Sequence, residues 1–225
     1  MLLLAFDTAT PAVTAAICEA GADTDVRVLA ETSSEDARRH GELLSPGIAA
    51  VAERAGVALT DLTDIAVGIG PGPYTGLRVG LATAHALAEA LDLSCHGVAT
   101  LDALAFASGR SGPFIATSDA RRKEVFWARY DDALTRVGEI AVARPDHIDT
   151  AGLPVIGHGA WLYPVAFGQE PDTAAPLYPT AAALGEVAAR RLRAGGHLPA
   201  PRPIYLRRPD AQVPAAPKRV RQWQA

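Results

Sequence analysis

Residues 65–91, IAVGIGPGPYTGLRVGLATAHALAEAL, constrain this chain more than any other stretch. Ile65–Ile69 is an apolar run of the kind carried by a strand covered on both faces. Gly68, Gly70, Gly72 and Gly76 then break it, and Pro71 and Pro73 stiffen the backbone between them. From Tyr74 or Thr75 to Leu91 the pattern is helical, with Thr75 available as a cap. Strand, turn and helix in that order point several backbone N–H groups outward where the helix begins. Arg78, His85, Glu89 and Asp92 fall on one narrow stripe, and most of the rest is Gly, Ala, Val and Leu. Such a helix must be covered on more than one side. Its own sheet is one cover; the other is a second helix, from this chain or from a partner. Gly76, Gly80, Ala84 and Ala88 recur at four-residue spacing, so a neighbouring backbone can approach closely along that row.

A chain of 225 residues allows one large domain or two small ones. Its net charge of −4 argues against autonomous binding to nucleic acid, which usually needs a basic face. Cys18 and Cys95 are too few for a disulfide framework and read as small core residues. The opening apolar run is too short for a signal peptide and lacks a basic flank. No segment is long enough to span a membrane. The expectation is a cytoplasmic protein in a reducing compartment.

In chain order, strands are expected at Leu2–Phe6, Val13–Cys18 and Val26–Glu31, the last two joined by a hairpin turn at Gly21–Asp25. A helix follows within His40–Ala55, where Leu44, Ile48, Val51 and Ala55 recur at helical spacing. Pro46 either starts its regular part, with Ser45 as cap, or kinks it, and Gly56 ends it. After the strand-turn-helix comes a strand at Ser94–Val98. Three strands, helix, strand, helix, strand is the order of one lobe of the two-lobed actin-like ATPase fold, an α/β architecture with mixed sheets and ribonuclease H topology. Asp102–Ala107 reads as a helical turn. The small residues of Ser108–Pro113 mark a boundary between a lobe of 1–107 and a smaller one of 108–225. The second lobe carries strands at Phe114–Ala116, Glu124–Tyr130, Gly138–Val142 and Leu153–Gly157, and an amphipathic helix at Thr180–Ala194. From Pro201 onward the chain is proline-rich and basic, and its last ten residues or so are expected to be disordered.

Few residues offer chemistry. In a nucleotide-binding lobe, Asp7 at the end of the first strand can hold a metal-bound water, and the hydroxyls of Thr8 and Thr10 can meet a phosphate. The same residues also end strands by bonding their own backbone. Gly70, Gly72, Thr75 and Gly76 form either a phosphate cradle or a rigid turn; the loop is not a Walker A sequence. The six histidines include no pair at i, i+3 or i+4, so no local metal pair exists. His40 and His85 read as solvated or interface residues. No G-x-S-x-G is present, which leaves only a spatial Ser/His/Asp triad open. Arg121-Arg122-Lys123 reads as a solvated turn. Lys218, Arg219, Arg221 and Trp223 form a loose tail or touch RNA.

The opening LLAFDTAT, the HGELLSP of the first helix, the IGPGPYTGLRVGLATAHALA core, the DARRKEVFWARYD hairpin and the late PIYLR resemble the TsaB (YeaZ) family, in order and over nearly the whole chain. The resemblance implies a non-catalytic subunit of the machinery that places threonylcarbamoyl on tRNA. Such a subunit dimerises with and activates the TsaD-type transferase, its paralogue in what has also been termed the glycoprotease family. It also implies a TsaE-type ATPase as companion, indirect contact with tRNA, a homodimer when the partner is absent, and ATP or ADP held in the complex but not tightly by this chain alone. TsaD-like proteins carry a H-x-E-G-H metal motif after the corresponding strand. Thr100 and Leu104 stand here in place of its two histidines, and neither suits a transition metal. The resemblance assigns the partner surface to the first two helices, which points to His40, Leu43, Leu44, Ile48, Val51, Leu77, Gly80, Leu81, Ala84 and His85. The alternative is a nucleotide-dependent kinase or carbamoyl transferase using Asp7, Thr8, Thr10 and the Gly70–Gly76 loop. A glycoprotease-type hydrolase is the third reading.

Overall fold

In the computed structural model, which describes residues 1–21, 25–36 and 38–207, three strands form an antiparallel meander: β1 (Leu2–Asp7), β2 (Ala12–Glu19) and β3 (Arg27–Glu35). β4 (Asp64–Gly68) and β5 (Ser94–Val98) add in parallel beyond β1, so the sheet order is β3-β2-β1-β4-β5. A second sheet is built from β6 (Phe114–Asp119), β7 (Val125–Tyr130), β8 (Arg136–Ala143) and β9 (Val155–Ile156) in the order β8-β7-β6-β9. It repeats the plan of the first: a three-strand meander, then a strand parallel to the first of the three. Two ribonuclease H-like lobes on one plan make the actin-like fold. β1 explains its own sequence: Leu4 and Phe6 enter the core on one face, Leu3 and Ala5 the core on the other.

Helices α1 (His40–Ala55) and α2 (Tyr74–Leu91) cover one face of the first sheet. Leu44, Ile48 and Val51 from α1 share a core with Leu81 and Ala84 from α2. Pro46 lies inside α1, which begins at His40 behind Arg39 rather than at Ser45. The buried contacts of Leu44 and Ile48 on either side of it hold the helix together across the lost N–H. Gly56 ends α1 in the left-handed conformation. Thr75 does not cap α2; Pro73 holds the cap position, with no side-chain bond. The helical turn expected at Asp102–Ala107 is part of a slightly longer helix, α3 (Thr100–Ala107), lying between the lobes. Leu101 and Leu104 pack on Phe114 and Tyr130 of the second sheet, while Ala103 packs with Leu184 under the first. Short helices α4 (His158–Leu162) and α5 (Pro164–Phe167), with no clear sequence pattern, cover the other face of the second sheet.

Helix α6 (Ala181–Arg193) starts at its Thr180 cap, whose hydroxyl accepts from Ala183 N–H at 3.0 Å. It packs on β1 and β2, so it belongs to the first lobe and not to the second, where the division at 107/108 had put it. Its buried face of Leu184, Val187 and Ala188 fills the side of the first sheet that α1 and α2 leave open. Beyond it, the chain returns along the same lobe: Gly97 N–H donates to the Pro199 carbonyl and Ile204 N–H to that of Ile69, both at 2.8 Å. The centre of the Gly21–Asp25 turn and the tail residues Lys218, Arg219, Arg221 and Trp223 lie outside the described residues.

Candidate functional site

The β1–β2 turn and the turn before α2 meet at the end of the first sheet. Asp7 is fully buried there. One of its oxygens accepts from Ala9 N–H at 2.5 Å and the other from the Thr100 hydroxyl at 2.7 Å. Thr100 Oγ1 accepts in turn from Gly70 N–H at 3.1 Å. The Thr8 hydroxyl donates to the Gly76 carbonyl at 2.7 Å, and Thr10 Oγ1 accepts from Ala12 N–H within its own turn. Burial pushes the Asp7 pKa up to about 6, against the hydrogen bonds from Thr100 and Ala9 that pull it down.

The glycines are required by these contacts. A Cβ on Gly68 would lie 2.0 Å from an Asp7 oxygen, and one on Gly72 2.0 Å from the Ala9 carbonyl. On Gly76 it would lie 2.1 Å from the Thr8 carbonyl, and on Gly80 2.5 Å from Thr8 Oγ1. The phosphate-cradle reading of Asp7, Thr8, Thr10, Gly70, Gly72 and Gly76 therefore meets a correction. These groups pack against and bond to one another, and Asp7, Thr8, Thr10, Gly70 and Gly76 are buried. Thr75 alone of the set is exposed. The four-residue glycine row faces the chain's own β1–β2 turn rather than a partner.

The residues expected on the partner surface divide in the same way. Leu44, Ile48, Val51, Leu77, Gly80, Leu81 and Ala84 are buried within this chain, because the second cover of α2 is α1. His40 is buried too, its Nε2 2.8 Å from the Thr10 carbonyl oxygen. Leu43 is half-buried. Only His85 is exposed, with Nε2 3.1 Å from the Pro201 carbonyl oxygen. What the two helices turn outward is a set of small residues, Gly41, Ser45, Pro46 and Ala49 on α1 and Ala82, Ala86 and Ala90 on α2, beside the charged and polar Glu42, Glu53 and Arg54 of α1 and Arg78, His85 and Glu89 of α2.

Between the lobes lies a cleft of about 720 Å³. Gly72–Thr75 form its wall on the first lobe, Asp119–Arg122 its wall on the second, and Ile204–Arg207 close a third side. Arg121, Arg122 and Lys123 all have left-handed backbones, with φ of 63°, 56° and 62°. Asp119 holds this turn by accepting from Arg121 N–H at 2.8 Å. Arg207 pairs with Glu124, and Tyr74 donates its hydroxyl hydrogen to the Arg207 carbonyl at 3.1 Å, its ring 4.8 Å from that of Tyr205. The basic triplet is exposed, as the sequence suggests, but Arg121 and Arg122 also wall a cleft, which no local pattern announces. Nor does any pattern announce that Asp102 on α3 accepts from Tyr130 at 2.9 Å and pairs with Arg136 at 3.5 Å and Arg191 at 3.0 Å. Among the described residues, no cluster of three or more His, Cys, Asp or Glu could hold a metal ion, and no helix is long and apolar enough to cross a membrane.

The two repeated lobes and the strand-turn-helix at their junction define a member of the actin-like group that includes the TsaD proteins. Residues 27–157 match the family model for TsaD, tRNA N6-adenosine threonylcarbamoyltransferase. A crystal structure from Pseudomonas aeruginosa, described as that of a protein similar to peptidase YeaZ, superposes with a TM-score of 0.78 at 30% identity, covering 92% of this chain and 99% of that one. An uncharacterized protein of Mycobacterium tuberculosis is 41% identical over 216 residues, 93% of each chain. The tRNA threonylcarbamoyladenosine biosynthesis protein TsaB of Escherichia coli is 35% identical over 133 residues, 58% of this chain and 55% of that protein. The chain belongs to the TsaB (YeaZ) family.

Proposed function

We propose that this chain is the TsaB-type subunit of the tRNA threonylcarbamoyladenosine pathway. It has no transferase activity of its own and acts by pairing with, and activating, a TsaD-type catalytic subunit in the cytoplasm. The observation that supports this most directly is the outer face of α1 and α2, where the exposed Ala49, Ala82, Ala86 and Ala90 form small-residue stripes that allow close helix packing, with charged residues such as Arg78 and Glu89 beside them. The lack of catalysis is supported at α3. Thr100 stands where the TsaD-type motif has its first histidine and is bonded to Asp7, and Leu104 stands at the second and is buried in the interlobe core. ATP or ADP enters with a TsaE-type ATPase, and tRNA is met through the catalytic partner. The same outer face supports a homodimer when that partner is absent.

The test is threonylcarbamoyl transfer to unmodified tRNA, reconstituted from the catalytic subunit, the ATPase and a threonylcarbamoyl-adenylate source. Product that forms only when this chain is added, and none from this chain alone, is the expected outcome. Equal product without it would refute the role.

A further inference from the structure

We propose that this chain makes a contact of its own with RNA, through a basic surface formed by the Arg121–Lys123 turn and the C-terminal segment that is tethered beside it. The contact adds to the one made through the catalytic partner, and it rests on the tRNA-pathway reading above for the identity of the RNA. The net charge of −4 hides a division. Residues 187–225 hold nine lysines and arginines against one acidic residue, Asp210, whereas residues 1–186 hold twelve against 24. A chain that is acidic as a whole yet gathers its positive charge at one end carries the electrostatic footprint of a polyanion-binding segment.

The fold sets a second basic element where that segment begins. A tight turn joins β6 to β7, with Ala120 N–H donating to the Glu124 carbonyl and Glu124 N–H to that of Arg121, both at 3.0 Å. At its tip Arg121, Arg122 and Lys123 are all exposed, and all three hold the left-handed backbone. Glycine or asparagine takes that conformation easily; arginine and lysine adopt it under strain. Three strained cations in a row on an exposed tip mark a turn kept for its charges. Asp119 meets Arg121 at 3.3 Å, but the pair is exposed and leaves further N–H groups of the guanidinium fork to a phosphate. Arg207 donates to the Arg121 carbonyl at 3.4 Å and pairs with Glu124. The residues that follow it, with Arg208, Lys218, Arg219, Arg221 and Trp223 among them, are therefore tethered at the basic turn. From Arg207 to Trp223 the chain spans at most about 55 Å, so one RNA can meet both elements.

The composition of the segment selects the polyanion. Lys218, Arg219 and Arg221 suit successive phosphates, and Trp223, between Gln222 and Gln224, supplies a face on which an unpaired base stacks. An anionic membrane fits less well. Val220 and Trp223 are the only large apolar residues among 218–225, too few for the apolar face of a membrane-lying helix.

The test is fluorescence anisotropy of labelled, unmodified tRNA titrated with the full chain between about 50 and 200 mM salt. Binding at about 10 μM is expected at the lowest salt, weakening about tenfold or more across the range. Lys218→Glu, Arg219→Glu and Arg221→Glu combined are expected to weaken it about tenfold or more. Arg122→Asn with Lys123→Asn keeps residues that tolerate the left-handed backbone; it is expected to weaken binding about threefold to tenfold and to flatten the salt dependence. Trp223→Ala is expected to cost about fivefold or more with the salt dependence unchanged. No binding at the lowest salt would overturn the proposal, as would binding that every variant leaves unchanged, or a preference for phosphatidylserine vesicles over tRNA. In the reconstituted transfer reaction the same variants are expected to raise the tRNA concentration that gives half-maximal rate and to leave the maximal rate alone. The two readings fail separately. A chain that binds tRNA but never stimulates transfer loses the pathway role, and stimulation whose tRNA requirement no variant moves removes the RNA contact.

Discussion

Asp7 carries the clearest single-residue consequence. Its carboxyl titrates near 6 in the folded chain against an ordinary value of 3.8. Between those pH values the folded state binds more protons than the unfolded state, so the contribution of Asp7 to stability falls as pH rises. Below pH 4 the penalty is absent; above pH 6 it is complete, on the order of 3 kcal/mol. Asp7→Asn keeps an acceptor for Ala9 N–H and a hydrogen-bonding group for Thr100 without a charge to bury. Urea unfolding at pH 4 and pH 7.5 is expected to show the variant gaining up to about 3 kcal/mol on the wild type between the two. A pH-independent difference would mean that Asp7 is not the titrating group. Gly80 gives a second test. A methyl there collides with Thr8 Oγ1 at 2.5 Å, while Thr8 Cβ is 3.7 Å away. Gly80→Ala is expected to cost about 1–3 kcal/mol, and adding Thr8→Ala should recover part of that loss despite removing a buried hydrogen bond. Thermal melts of the single and double variants decide it.

At the scale of elements, the pair of α1 and α2 separates two roles that one helix pattern overlays. Inward faces hold the sheet; outward faces set a stripe of small residues beside charged ones such as Arg78 and Glu89. Ala82→Glu and Ala86→Arg therefore change nothing in the core, and the melting temperature is expected to stay within a degree or two. If the outer face carries the protein partner, either change should weaken co-purification with the catalytic subunit by about tenfold or more, because a charge is desolvated in the contact. Undiminished pairing would move the interface elsewhere. Leu44 and Leu81, by contrast, are buried in this chain, so truncating either to alanine should lower stability by about 2–5 kcal/mol whether or not a partner is present.

On the scale of the molecule, α3 and α6 join what the sheets divide. Asp102, almost fully buried, answers Tyr130 and Arg136 from the second lobe and Arg191 from α6. Asp102→Ala leaves the buried Tyr130 hydroxyl unanswered and the partly exposed Arg136 and Arg191 without their partner, and is expected to cost about 1–3 kcal/mol. If the cluster ties the lobes, Asp102→Asn should keep both lobes folded while hydrogen exchange quickens along α3 and the facing ends of β7 and β8. Uniform protection in that variant would show that apolar packing alone holds the lobes together.

The elements themselves were legible. Alternate faces of β1, the helical recurrence of Leu44, Ile48 and Val51, and the strand-turn-helix at residues 65–91 follow from local periodicity and from the special backbone of glycine and proline. They sufficed for the order of strands and the two-lobed plan, and the motif segments sufficed for the family. What periodicity states is that a face is apolar or small, never what lies against it. The row that begins with Gly76 and Gly80 reads as a seam for a neighbour, and the neighbour of these two glycines is the turn at Thr8, nearly seventy residues earlier. Asp7 and Thr8 had the composition of a phosphate site, and the fold spends them on Ala9, Thr100 and Gly76. Tyr74, Arg121 and Tyr205 come to one cleft only because the two lobes and the returning segment at 199–207 bring distant stretches together. Local sequence determined which surfaces had to be covered; the long-range packing decided which of them the chain covers itself, and hence which remain for another molecule.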